Sequence, residues 1–262
     1  ERLRTPMPTP LLRRLCPFIL SVRCVGASTV DVGDDAELVG DCMMLKRELL
    51  VEVGHRVPMY RPLGNVVSFD TVLSKEERDM IMGLEECVRG TGRHVENRAF
   101  EYSDGGNNVT YLNQFMQVWL PALTARVRDI AQGAVSAAGF EVAISQLGIR
   151  CVELLRYASA DGWSDVGFHE DTGSTYTLVF MLSEPGLDFT GGAFQIRDGE
   201  TTLREVEFGH GFLFDSKKSH RVLTVESGTR TVLVLEFWNL ADSTMMDSRP
   251  PRKYGKPLRL DL

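Results

Sequence analysis

Cysteine is scarce in this sequence and occurs in no metal-binding or redox spacing. The 262 residues include an odd number of cysteines with no C-x-x-C pair, at Cys16, Cys24, Cys42, Cys87 and Cys151. Zinc sites and disulfide scaffolds usually show close or regular cysteine spacing. We therefore expect scattered thiols, most of them buried as small apolar side chains, and no requirement for an oxidising compartment.

Positive charge is also in deficit. Lysine and arginine number 29 against 36 aspartates and glutamates, which gives a net charge of -7. Proteins that coat nucleic acids or anionic membranes bind them through an excess of positive charge. The composition argues against such a task, and we expect no nucleic-acid partner.

Long apolar runs are missing too, so no transmembrane segment is predicted. The first thirty residues contain five arginines and one acidic residue. They include the apolar run LCPFILSV at 15–22, which Pro17 interrupts and which is too short to span a bilayer. Such a segment resembles the remnant of a signal or transit peptide. A loosely packed extension is the simpler interpretation, and the compartment stays open.

Two helices are predicted within 36–144. The run SKEERDMIMGLEECVRGTG places Ser74 three residues before Glu77 in a capping box, and apolar residues follow at helical spacing up to Gly90. The run LPALTARVRDIAQGAVSAAG begins with Pro121 at a tolerated first-turn position and carries apolar residues along one side. We expect 36–144 to form a helical lead-in that supports a sheet.

From residue 149 onward the apolar pattern changes to that of strands. Short apolar runs such as IRCVELLRYA and TRTVLVLEFW are separated by turn residues, with no gap long enough for a helix. This arrangement is typical of an antiparallel sandwich or jelly roll. The predicted fold is α+β and mainly β: a double-stranded β-helix (jelly roll) core at 145–240 with N-terminal supporting helices, an extension or targeting segment at 1–35 and a C-terminal tail at 241–262.

The stretch VGFHEDTGSTYTLVFML at 166–182 places ionisable residues at the start of an apolar strand, where they are costly unless paired, exposed or bound to a metal. Residues two apart on a strand point to the same side, so His169 and Asp171 can face one point while Glu170 points away. His220 opens another strand of the same region. Two histidines and one carboxylate fill one face of an octahedral Fe(II) and leave three positions open. The alternative is that both histidines are core or rim residues hydrogen-bonded to their neighbours.

A buried cation is predicted near this site. The run HRVLTV-ESG-TRTVLVL indicates a hairpin that turns near Ser227 and Gly228 and would place Arg230 on the same face as His220. Arg230 would then lie about four strand steps away, roughly 13 Å at about 3.3 Å per residue. The planar guanidinium suits a carboxylate partner, and the arginine stem together with a short dicarboxylic acid bound to the metal could bridge such a gap.

Taken together and in order, several short motifs resemble those of the Fe(II)- and 2-oxoglutarate-dependent oxygenases, in particular the catalytic domain of the prolyl 4-hydroxylases. The resemblance covers roughly 145–240 and rests on Tyr157 in LLRYASADG, the H-x-D of His169 and Asp171, DFTGGAFQI at 188–196, GHGFLFD at 209–215, His220 in SHRV, and Arg230 in GTR.

This resemblance implies a role for each matched residue. His169, Asp171 and His220 would bind Fe(II), while Arg230 and the Tyr157 hydroxyl would hold the far carboxylate of 2-oxoglutarate, the cosubstrate. O2 would be consumed, and ascorbate is a candidate accessory cofactor. The implied reaction is hydroxylation of an unactivated C–H bond on a peptide or protein, with proline as the leading target and release of succinate and CO2. The alternatives are a small-molecule hydroxylase of the same superfamily and a non-catalytic jelly-roll binding protein.

Overall fold

Antiparallel strands dominate the second half of the chain, as predicted. The computed structural model describes residues 33–46, 48, 57–70, 72–92, 95–99, 105–198, 200–204 and 206–239. The strands are β1 (Tyr60–Leu63), β2 (Val66–Phe69), β3 (Val95–Ala99), β4 (Gly106–Tyr111), β5 (Leu147–Ala158), β6 (Val166–His169), β7 (Tyr176–Met181), β8 (Phe189–Gly191), β9 (Phe194–Asp198), β10 (Glu200–Arg204), β11 (Gly211–Asp215), β12 (His220–Val222) and β13 (Val225–Asn239). The arginine-rich start and the basic tail lie outside the described residues.

These strands form two sheets that pack face to face. Within the described residues, the larger sheet follows the order β1-β2-β11-β7-β13-β5-β4-β3, with β8 paired to one end of β13, and the smaller sheet follows β10-β9-β12-β6. Val166 and Phe194 of the smaller sheet belong to one buried apolar cluster with Val179 and Val232 of the larger sheet. The fold is therefore the predicted jelly roll, in which two sheets enclose a common interior.

The helices cover the outer face of the larger sheet. They are α1 (Gly33–Leu45), α2 (Lys75–Gly90), α3 (Asn113–Trp119) and α4 (Pro121–Ala138). Successive side chains of β13 point to opposite faces of the larger sheet. Leu233 and Leu235 pack in the apolar cluster that contains the helices, whereas Val232 and Val234 belong to the cluster between the two sheets. The predicted supporting helices are confirmed at this position.

The predicted capping box begins α2. The Ser74 hydroxyl accepts the Glu77 N–H at 3.2 Å, and the Glu77 carboxylate accepts the Ser74 N–H at 2.9 Å. Glu77 also forms a buried ion pair with Arg126 of α4, which in turn donates to the Val72 carbonyl. One capping residue thus fixes the start of α2 and joins it to α4.

The segment 36–144 contains strands as well as the predicted helices. Strands β1 and β2 extend the larger sheet beyond β11, and β3 and β4 extend it beyond β5. These strands are short: β1 pairs with the adjacent β2 and β3 with the adjacent β4, and within the described residues only β2 and β4 reach partners distant in sequence, in β11 and β5. Sequence periodicity was therefore insufficient to identify them.

The expectation of scattered thiols is wrong for one pair of cysteines. Cys42 of α1 and Cys87 of α2 form a disulfide across 45 residues of sequence. Pairing between cysteines on separate helices depends on tertiary packing, which their spacing does not reveal. Cys151 is buried, as predicted, and Cys16 and Cys24 lie outside the described residues.

None of the described helices is both long enough and apolar enough to cross a membrane.

The predicted hairpin between β12 and β13 is wrong. Strand β12 pairs with β6 and β9 in the smaller sheet, whereas β13 begins against β8 and continues between β5 and β7 in the larger sheet. Gly228 has a φ of 73° and pairs with Phe189 beside the register shift between Val225 and Ser227, and an added Cβ on it would lie 2.0 Å from the Asp188 carbonyl oxygen. A glycine with positive φ serves bulges as well as hairpin turns, which explains the error.

Candidate active site

The two histidines of the predicted triad lie opposite each other on neighbouring strands. His169 of β6 pairs with His220 of β12, and their ring centroids are 4.2 Å apart. Asp171 follows two residues after His169, and its two carboxylate oxygens lie 3.8 Å from His169 Nε2 and 3.7 Å from His220 Nε2. All three donor atoms lie within 4.8 Å of one another. The structure therefore brings together the three residues that the sequence predicted to bind Fe(II).

Hydrogen bonds on the far side of each imidazole set its tautomer. His169 Nδ1 lies 2.9 Å from the Gly167 carbonyl oxygen, and His220 Nδ1 lies 3.0 Å from the Lys218 carbonyl oxygen. A carbonyl can only accept, so each Nδ1 carries a hydrogen, which in a neutral imidazole leaves the lone pair on Nε2. Both Nε2 atoms are therefore prepared as metal ligands, in the way that outer hydrogen bonds orient such histidines.

Asp171 is held in position from two sides. Its carboxylate accepts the Thr177 hydroxyl at 2.5 Å, and its backbone N–H donates to the Ser216 carbonyl at 3.0 Å. Asp171 is 8% exposed and has an acceptor-only side chain, so the Thr177 hydroxyl must be the donor.

A buried ionic cluster anchors the loop that follows Asp171. Arg150 donates to the Thr172 carbonyl at 2.7 Å and to the Ser174 hydroxyl at 2.9 Å, and pairs with Glu236 at 3.2 Å. Ser174 also donates to Glu236 at 2.5 Å. Glu236 thus acts as the acceptor that anchors this loop.

Replacing Thr177 by valine is expected to weaken Fe(II) binding about 10- to 100-fold, because the isosteric side chain removes the hydroxyl that orients Asp171. The measurement is an anaerobic Fe(II) titration of the purified variant. Thr190→Val is the matched control, since Thr190 is exposed on β8 and bonds to Ser227. Equal Fe(II) affinity in both variants would show that the Thr177 hydrogen bond does not position the carboxylate.

The triad opens into a cavity of about 340 Å³ between the two sheets. Apolar side chains from both sheets form much of its wall: Leu155, Val166, Val179, Phe194, Val222, Val232 and Val234. Carboxylates line it as well, at Glu96, Glu153, Glu170 and Glu236. Trp238 lies two residues after Glu236 on β13 but does not line this cavity.

Arg230 lies in the same cavity, on β13 opposite Tyr157 of β5. Its guanidinium carbon lies 5.4 Å from the centre of the Tyr157 ring, and the residue is 1% exposed. Nε and Nη1 of Arg230 have no hydrogen-bond partner in the described part of the chain. Burial lowers the pKa of Arg230 to about 10, so the side chain is still a cation at neutral pH. Arg230 and His220 line the same cavity, but they do so from different sheets and not from the two arms of the predicted hairpin.

A glycine makes room for this arginine. Gly192 has a φ of 65°, and a Cβ on it would lie 2.9 Å from Cδ of Arg230 and 2.8 Å from Val225. The second glycine of DFTGGAFQI therefore satisfies both the left-handed backbone and the close approach of the Arg230 stem.

Residues beyond the predicted set complete the site. Thr177, Arg150 and Asn107 orient or adjoin predicted site residues, and all three are buried. For Thr177 and Arg150 the signal in the sequence is a polar residue inside an apolar strand pattern, which is costly without a partner, whereas Asn107 follows a turn-like run and has no such signal. Asn107 lies on β4, and its amide nitrogen donates to the Tyr157 hydroxyl at 3.2 Å.

Comparisons with known proteins place the fold. No family model and no curated protein matches the chain. Among solved structures, a 2OG-Fe(II) oxygenase family oxidoreductase from Burkholderia pseudomallei is 15% identical, with a TM-score of 0.50 over 81% of this chain and 93% of that one. A prolyl hydroxylase from Trichoplax adhaerens, in complex with a hypoxia inducible factor peptide fragment, is 12% identical, with a TM-score of 0.53 over 80% and 94%.

Another similar structure is that of the non-heme alpha ketoglutarate dependent epimerase SnoN from nogalamycin biosynthesis. It is 13% identical, with a TM-score of 0.53 over 75% of this chain and 88% of that one. These neighbours differ in the reactions that their names describe but share one architecture. This chain has the jelly-roll fold of the 2-oxoglutarate- and Fe(II)-dependent oxygenases.

Proposed function

We propose that the protein is an Fe(II)- and 2-oxoglutarate-dependent dioxygenase. It hydroxylates an unactivated C–H bond, most favourably on a proline-type side chain of a peptide or protein. In the proposed reaction, 2-oxoglutarate and O2 are consumed, one oxygen atom is added to the substrate, and succinate and CO2 are released.

The buried Arg230 guanidinium is the observation that carries this proposal. A cation that is 1% exposed and whose Nε and Nη1 lack hydrogen-bond partners within the described chain needs an anionic ligand. It lines the same cavity as His169, Asp171 and His220. A ligand that binds a metal at one end and carries a carboxylate at the other would occupy the metal site at the triad and pair with the Arg230 guanidinium.

The donor set fits Fe(II) better than a closed zinc site. Two imidazoles and one carboxylate form the facial arrangement that leaves positions open for ligands. The metal-binding group found at this position within the described residues contains these three side chains and no fourth. Bound Fe(II), with 2-oxoglutarate and O2, would supply the oxidising power for C–H hydroxylation.

The protein side chains have separate tasks in this reaction. His169, Asp171 and His220 hold the metal, while Arg230 and Tyr157 fix the distal carboxylate and so determine how the cosubstrate lies. The apolar wall of valines and Phe194 excludes water from the reacting group. The Arg150–Glu236–Ser174 cluster keeps the Asp171 loop fixed while substrates enter and leave.

The size of the cavity supports a compact target group. Ligand sites of enzymes usually measure about 300–1,000 Å³, and this one lies at the low end even before the cosubstrate occupies part of it. The remaining space suits one side chain entering from a longer molecule, with an aliphatic ring such as that of proline against the valine wall.

The test is turnover on matched peptides. Purified protein with Fe(II), 2-oxoglutarate and O2, with and without ascorbate, is incubated with proline-containing peptides and with the same peptides carrying alanine. We expect succinate formation that the proline peptides stimulate, together with the addition of one oxygen atom seen by mass spectrometry. Succinate that only small molecules stimulate would replace the peptide substrate with a small one. An absence of both succinate and metal-dependent 2-oxoglutarate binding would leave a non-catalytic binding protein.

A further inference from the structure

Three buried polar side chains form a row across three adjacent strands of the larger sheet. Asn107 of β4, Tyr157 of β5 and Arg230 of β13 are 2%, 3% and 1% exposed. Arg230 and Tyr157 are direct partners in the β13–β5 pairing, and Asn107 lies one residue before Asn108, which pairs with β5. All three side chains line the cavity that contains the histidine–aspartate triad.

The bond between Asn107 and Tyr157 constrains the phenolic hydrogen. Asn107 Nδ2 donates to the Tyr157 oxygen at 3.2 Å, so the amide hydrogen occupies a lone pair of that oxygen. A phenol has one hydrogen to donate, and this hydrogen cannot point toward the Asn107 amide nitrogen that is already donating to the same oxygen. The Tyr157 hydroxyl therefore donates its hydrogen to a group other than the Asn107 amide nitrogen.

We propose that Asn107 is a positioning residue that orients the Tyr157 hydroxyl toward the distal carboxylate of 2-oxoglutarate. The inference rests on the proposed function, which places that carboxylate at Arg230. A carboxylate only accepts hydrogen bonds, so it needs donors from both Arg230 and Tyr157. In this proposal Asn107 does not contact the cosubstrate. Its hydrogen bond to the Tyr157 oxygen orients the hydroxyl hydrogen toward the distal carboxylate.

Substitutions at Asn107 separate this role from general packing. Asn107→Leu removes the amide donor, so the Tyr157 oxygen loses the hydrogen bond from Asn107. Asn107→Asp keeps the shape but offers only acceptors, so the Tyr157 hydrogen turns toward the new carboxylate and away from the cosubstrate. Asn108→Leu is the matched control, because Asn108 is the next residue on β4 and its amide bonds to Asn97 on the edge strand β3.

The experiment is calorimetric titration of 2-oxoglutarate into the anaerobic, Fe(II)-loaded protein, with Fe(II) affinity and melting temperature measured for each variant. We expect Asn107→Leu to weaken 2-oxoglutarate binding about tenfold, because a hydrogen bond to a charged group is lost or misdirected. Asn107→Asp should weaken it further, and Asn108→Leu should leave it unchanged. Fe(II) affinity should stay at the wild-type value in all three.

A double-mutant cycle with Tyr157→Phe gives the decisive comparison. If Asn107 acts through the Tyr157 hydroxyl, Asn107→Leu will have less than about a twofold effect once that hydroxyl is absent. An equal loss in both backgrounds, or no loss in the wild-type background, would overturn the positioning role while leaving the proposed function intact. Wild-type protein that fails to bind 2-oxoglutarate in the presence of Fe(II) would instead refute the proposed function itself.

Discussion

Replacing His220 by alanine is expected to lower Fe(II) affinity by at least about 100-fold and to abolish succinate formation. Removal of a residue that only supports a metal ligand costs about 10- to 100-fold in affinity, so removal of a ligand itself should cost no less. His220 is 6% exposed, and its Nε2 faces Asp171 at 3.7 Å. The measurements are an anaerobic Fe(II) titration and a succinate assay on the same preparation.

His210→Ala is the matched control for this variant. His210 precedes β11, lies 3.6 Å from the Glu207 carboxylate and does not line the cavity of the triad. We expect it to bind Fe(II) and to form succinate at the wild-type level. If the His220 variant retained wild-type Fe(II) affinity while its melting temperature was unchanged, His220 would be a packed core histidine and the metal centre would lie elsewhere.

Replacing Arg230 by methionine is expected to weaken 2-oxoglutarate binding roughly 30- to 4,000-fold. Removal of one partner of a buried, hydrogen-bonded charge pair costs about 2–5 kcal/mol, which corresponds to that range. Methionine fills a similar volume without charge, so Fe(II) binding at the triad should be unaffected. The change is read from calorimetric titrations of the Fe(II)-loaded protein under anaerobic conditions.

The same variant should be no less stable than the wild type when the cosubstrate is absent. The wild-type protein buries a guanidinium whose Nε and Nη1 have no hydrogen-bond partner in the described chain, and an apolar side chain removes that desolvation cost. Arg221→Met is the control, because Arg221 bonds to Gln195 and stacks on Phe168 without lining the cavity. A large fall in the melting temperature of the Arg230 variant would show that this cation stabilises the fold and is not reserved for a ligand.

The sequence alone indicated three residues that the structure brings together, His169, Asp171 and His220. His169 ends β6 and Asp171 follows it by two residues, His220 opens a second strand, and Arg230 is a polar residue within an apolar strand. These local signals identified the residues, although Asp171 lies just beyond β6 and the hairpin predicted for Arg230 is wrong. The jelly-roll fold followed in the same way from many short strands separated by turn residues.

Features that depend on tertiary packing were not predictable in this way. The link between Cys42 and Cys87 requires that α1 packs on α2, and the pairing of β13 with β8 joins strands that the predicted hairpin did not bring together. The contact between Asn107 and Tyr157 joins residues 50 positions apart on strands that are neighbours only in the folded sheet. Partners of this kind come from long-range strand pairing, which the turn residues and periodicity of one sequence leave open.

Binding of 2-oxoglutarate by the wild-type protein, with and without Fe(II), is the most direct test of the account. The titration is carried out by calorimetry in the absence of O2, on metal-free protein, on Fe(II)-loaded protein and on Fe(II)-loaded Arg230→Met. The account predicts one binding site that requires both the metal and Arg230. Binding that is equally tight without Fe(II), or no binding with Fe(II), would contradict the assignment of this cavity as an Fe(II)- and 2-oxoglutarate-binding site.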